Sequence, residues 1–182
     1  MNPSLKQLFE DIRAGSSSEQ NDAVGALVEV LRKNYWRGMD NYAFAFLRPS
    51  DPLFSLTLSN VEKQEILEQV CGTIYLEKNA STITASLLWA LGNILEWDSF
   101  DWLLRFLSKD NQVMNGENFY QALIAFENLL VLGREDKPRL RALLKQYEAR
   151  RIVCLHSNHN RIGLPELAAS VLRQIDQLEL ET

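Results

Sequence analysis

Residues 85–107, ASLLWALGNILEWDSFDWLLRFL, pack two rows of large apolar side chains around a short acidic hinge, EWDSFD at 96–101. The first row, Leu87, Leu91, Ile94 and Leu95, has the three- and four-residue spacing that gathers side chains on one face of a helix. The same spacing recurs in Val24, Leu27, Val28 and Leu31, in Ile66, Val70 and Ile74, and in Leu123, Phe126 and Leu130. No run alternates apolar and polar residues between hairpin turns, so strands are not expected. Helix starts punctuate the chain instead: Asn2 before Pro3, Ser16 with Glu19, Asp51 before Pro52, Ser59 with Glu62, Asn115 before GENF, Asp136 near Pro138, and Pro165 with Glu166. Each puts a capping oxygen, a first-turn proline or a first-turn acid where a helix has free amide donors. The expected class is all-α.

The opening stretch also has counterparts. Writing LLWALGNILEW (87–97) over ALIAFENLLVL (122–132) places Ala90 on Ala125, Leu91 on Phe126, Asn93 on Asn128, Ile94 on Leu129 and Leu95 on Leu130. VGALVEVL (24–31) enters the same frame, with Ala26 on Ala90 and Leu27 on Leu91. Each later copy is followed by another short amphipathic helix, FDWLLRFL and PRLRALLKQY. A repeated helix, hinge and helix predicts antiparallel pairs stacked as a short α-solenoid, because one pair alone leaves an apolar face uncovered. An irregular helical bundle would bury the same stripes and stays open as the alternative. The pattern resembles the HEAT and armadillo-like helical repeat families, most clearly over residues 80–150 and more loosely over 16–78 and 160–180. Its period is shorter than the usual HEAT spacing of roughly 40–47 residues.

A chain of 182 residues, 46% of them apolar, suits one compact domain over 1–182. There is no apolar run of about 18 residues, and MNPSLKQLFEDIRAG lacks the basic-then-apolar layout of an export signal, so a soluble cytoplasmic protein is expected. Cys71 and Cys154 are read as reduced, partly buried thiols without a disulfide framework.

Chemistry-bearing motifs are few. CLHSNHN holds Cys154, His156 and His159, but a closed zinc site needs a fourth ligand and no second cluster of His or Cys supplies one, so no metal is expected. Ser157 beside these histidines has no G-x-S-x-G elbow around it, and the eight glycines are scattered without forming a phosphate loop. No cofactor and no catalytic residue is therefore assigned. Glu96, Asp98 and Asp101 could serve acid-base chemistry, but helix capping explains them first: Asp98 or Ser99 would cap a helix beginning near Phe100, with Asp101 in its first turn.

Capping leaves a wider charge excess unexplained. Between Ile94 and Asp136 stand eight acids, Glu96, Asp98, Asp101, Asp110, Glu117, Glu127, Glu135 and Asp136, against Arg105, Lys109 and Arg134. This segment alone matches the net charge of the whole chain, −5, and argues against nucleic acid as a ligand because phosphate needs clustered Lys and Arg. Concentrated charge of one sign speeds encounter with a basic partner, and exposed aromatic side chains anchor such contacts. Glu96, Trp97, Asp98, Asp101, Trp102, Glu117, Tyr120 and Glu127 are the candidate partner-binding residues, and the aromatic group at residues 34–46 is a second contact or an end cap. A small, acidic, helical-repeat chain resembles the immunity proteins of bacterial toxin systems. That resemblance implies a non-enzymatic protein that neutralises a cognate toxin, typically a basic nuclease, by one-to-one binding. A scaffold that holds a peptide or helix of a larger complex is the alternative. A HEAT-like DNA glycosylase, similar in architecture only, would need a basic groove in place of this acidic one.

Overall fold

A computed structural model describes residues 1–36, 45–76, 81–109, 115–157 and 160–180. Over these residues the chain is all-α, without a strand, and packs as two compact units, Met1–Ile94 and Leu95–Thr182. The boundary falls inside the stretch 85–107, just before its acidic hinge. No described helix is long and apolar enough to cross a membrane.

The first unit holds α1 (Pro3–Ala14), α2 (Ser17–Tyr35), α3 (Asn60–Leu76) and α4 (Ser81–Leu91). Their starts follow the capping signals. Asn2 Oδ1 accepts from the Ser4 N–H at 2.9 Å, and Ser16 forms a reciprocal capping box with Glu19, whose carboxylate takes the Ser16 N–H at 2.7 Å. Ser59 and Glu62 repeat that box before α3, and these serine hydrogen bonds hold both Glu19 and Glu62 below the ordinary carboxylate range. Asp51 and Pro52 do not begin a helix. Asp51 Oδ1 accepts from the Leu53 N–H at 2.9 Å and residues 49–55 form turns, because no apolar stripe follows that could carry a helix onward.

Two residues, Gly15 and Ser16, join α1 to α2, and the two helices pack together. α3 packs on α4, and α2 packs on α4. Near its start, α2 meets α4 through Asn21 and Ser86, 3.3 Å apart; near its end, Arg32 donates to Asn93 at 3.0 Å and lies over the Trp89 ring at 5.4 Å. Both sets of partners advance along the chain together, so α2 and α4 run parallel.

The second unit holds α5 (Trp97–Lys109), α6 (Gly116–Leu129), a 3₁₀ turn at Leu130–Arg134, α7 (Lys137–Gln146), α8 (Ala149–His156) and α9 (Leu164–Leu180). Asn115 and Asp136 cap α6 and α7, accepting from the Asn118 and Arg139 N–H groups at 2.8 and 3.0 Å. Phe100, early in α5, meets Phe126, late in α6, edge to face at 5.3 Å, so this pair is antiparallel. By contrast α6 and α9 run parallel: Glu117 bonds Arg161 just before α9, while Glu127 bonds Ser170 and Gln174 within it.

Each unit thus contains helix pairs whose second members lie parallel, an arrangement compatible with a helical repeat. The starts of α2, α4 and α6 at Ser17, Ser81 and Gly116 keep the register found by aligning the sequence copies. α4 packs on α3, and α6 packs on α5. The apolar face of α5, Phe100, Leu103, Leu104 and Leu107, is buried. All members of the four apolar stripes are buried except Leu95, which is half-buried.

A candidate protein-binding rim on α5

α5 begins at Trp97, about a turn before the start that capping by Asp98 or Ser99 would require. Asp98 consequently stands inside the first turn, where its charge favours the helix dipole, and Ser99 is buried with its hydroxyl unpartnered among the described residues. Asp98, Asp101, Trp102 and Arg105 share the outward stripe of the helix, three and four residues apart. Glu96 and Asp98 are exposed and form no ion pair among the described residues, and half-buried Trp97 stands between them. Asp101 is engaged: its Oδ1 accepts from the Tyr147 hydroxyl at 2.7 Å and its Oδ2 from Arg105 at 2.5 Å. The Arg139 guanidinium lies over Trp97 at 4.7 Å, and the half-buried Trp102 ring stacks flat on Phe106 with centroids 5.1 Å apart. Basic side chains of α5 and α7 therefore answer part of the acidity, and the rim is an aromatic surface with two acids left outward.

The other three candidates do not join this rim. Because α5 and α6 are antiparallel, Glu117 and Tyr120 lie at the opposite end of the hairpin from Asp98. There Arg161 donates to Glu117 at 2.7 Å and sits 3.7 Å over the Tyr120 ring. Hydrogen bonds from Arg161, and then from Gln121, hold the Glu117 carboxyl below its usual range despite some burial. Glu127, ten residues or about 15 Å further along α6, accepts from Ser170 at 3.0 Å and Gln174 at 2.9 Å and ties α6 to α9. The eight candidates form an outward rim, a clasp and an internal tie.

Asp110 lies outside the described residues, as do residues 37–44 of the second aromatic group; Tyr35 of that group carries Lys63 over its ring at 4.6 Å. His159 and the side chain of His156 are also outside them. Cys154 is exposed, contrary to the expectation of a partly buried thiol, and Ser157 Oγ donates to its carbonyl at 2.9 Å. Cys71 is buried, and burial pushes its thiol up to about 12. No group of three or more His, Cys, Asp or Glu among the described residues is placed to hold a metal ion.

Several polar residues that organise the units carried no recognisable motif. Glu29 is 3% exposed, and its carboxylate accepts from the N–H groups of Ala45, Phe46 and Leu47 at 2.6, 3.0 and 2.8 Å. Extending the alignment puts Glu29 in the column of Asn93 and Asn128, a polar position amid apolar ones, and this is the one local sign of its role. Arg139, Tyr147 and Arg161 are single residues in ordinary contexts, and their roles come from segments distant in the chain.

Compared with protein-family models, curated proteins and solved structures, the chain matches none of them. Its own geometry describes an all-α protein of packed helix pairs.

Proposed function

We propose that this chain is a non-enzymatic protein-binding module that takes a basic partner at the α5 rim. The observation that carries the reading is the pair of outward acids, Glu96 and Asp98, bracketing Trp97 at the start of a helix whose other face is locked into the unit's core. An aromatic side chain between unpaired acids offers contact area at small entropic cost, with charges that select a basic counterpart. Asp101 and Trp102 extend the surface, the first through its bonded carboxylate and the second through its half-exposed ring. The finer reading, an immunity protein bound to a cognate toxin such as a basic nuclease, is supported by size, acidity and resemblance of architecture, which is an analogy of fold.

The test is capture of partners by the tagged chain at low and raised salt, beside the E96K/D98K variant. A single stoichiometric basic protein, bound at least about tenfold more weakly by the variant and released by salt, supports the proposal. Inhibition of that protein's toxicity by the wild-type chain supports the immunity role. Capture that is indifferent to salt and to both reversals refutes the rim and favours a scaffold, and specific binding of damaged duplex DNA overturns the whole reading.

A further inference from the structure

α9 has an outward face that the α5 rim does not use. Pro165, Ala169 and Leu172 share one side of the helix, and with Ile162 they line an open groove along its first half. Ile162 is 92% exposed, compared with 67% for Val61 and 57% for Leu155. Its backbone is nevertheless fixed. The neighbouring Arg161 is held by Glu117 and Tyr120 and also donates to the Ile162 carbonyl at 2.5 Å, while Gly163 supplies a left-handed turn with φ of 82°. An apolar side chain is thus presented to solvent by a preorganised support, which reduces the ordering cost of a contact.

Two charges flank this stripe. Glu166 and Arg173 are exposed, neither is ion-paired among the described residues, and their seven-residue spacing puts them on nearly the same face, about 10 Å apart. A partner of uniform charge would attract one and repel the other. A partner carrying the same two charges in reverse order satisfies both, and an antiparallel copy of α9 has that order. With a two-fold axis between Ala169 and Ser170, Glu166 of each copy faces Arg173 of the other. The small Ala169 then sits at the crossing and lets the helices approach, while Pro165 and Leu172 alternate with their counterparts along the seam.

We infer that the α9 face is an isologous contact between two copies of this chain, closed at both ends by Glu166–Arg173 pairs. One helix face is small beside the ~800 Å² per partner of a standard interface, so the dimer is weak and fills at high protein concentration. This inference is independent of the α5 rim.

Sedimentation velocity from low micromolar to near-millimolar protein tests it, with circular dichroism as a check on folding. The wild-type mass should rise toward the dimer. E166R and R173E each place like charges opposite one another, and each should weaken association by about tenfold or more. Mixing the two single variants should restore a heterodimer, since every facing pair is then of opposite sign, and the E166R/R173E double variant should self-associate like the wild type. A wild-type chain that stays monomeric throughout overturns the proposal. So does association unchanged in E166R, or failure of both the mixture and the double variant to recover.

Discussion

Glu29 in the first unit and Asp98 in the second are both acids in helices, and their fates are opposite. Glu29 is sealed inside, where one carboxylate satisfies three backbone donors from residues 45–47; Asp98 stands in water and bonds nothing among the described residues. The surroundings explain the contrast. A buried carboxylate survives only if its lone pairs are filled, and the segment around Phe46 fills those of Glu29 while its ring covers Gly25. An exposed carboxylate is satisfied by water and contributes little to folding. Acidic composition therefore mixes two kinds of residue, one that holds the fold and one that is free to meet a partner.

Substitutions should separate the two kinds. E29A leaves three N–H groups without their acceptor and should lower unfolding free energy in urea by about 3 kcal/mol; a loss below about 1 kcal/mol would put Glu29 with the solvated acids. G25A comes next. A Cβ there would approach the Phe46 ring to 2.7 Å, and a cost of about 2 kcal/mol is expected, relieved when F46A is combined with it. Additive losses in that double variant would deny the contact.

A smaller effect attaches to the clasp. Glu117 has a depressed pKa in the folded chain, so its contribution is present above the unfolded value and lost as pH falls through the folded one. R161A should be less stable than wild type at pH 7, and the difference should persist to about pH 5 and shrink below about pH 4. Glu117 is partly exposed and its clasp is screened, so matched urea curves are needed; a gap unchanged in acid would show that Arg161 acts by packing alone. Smallest is the rim. E96K/D98K should lower stability by no more than about 1 kcal/mol, the reversed first-turn charge included, while weakening partner binding, and a larger structural loss would place these acids with Glu29.

Much of the fold was legible because its signals are local. Capping oxygens at Asn2, Ser16, Ser59, Asn115 and Asp136 lie next to the amides they serve, and helical stripes repeat within a few residues. Asp51 misled because its carboxylate can close a turn as well as open a helix. The candidate site was only half legible. Glu96, Trp97, Asp98, Asp101 and Trp102 are near in sequence and stay near in space, whereas Glu117 and Tyr120 lie a helix length away and Glu127 is turned to α9 by Ser170 and Gln174.

The sequence by itself determined that this is a helical protein, where most helices begin, which faces they bury, and that its acids cluster between residues 94 and 136. Tertiary structure alone decided which helix pairs with which. It also decided which acids are used internally, because Arg139, Tyr147, Arg161 and the amides at 45–47 reach their partners from separate segments of the chain. Periodicity and capping are properties of neighbouring residues, but the neutralisation of a charge depends on whatever the fold brings beside it.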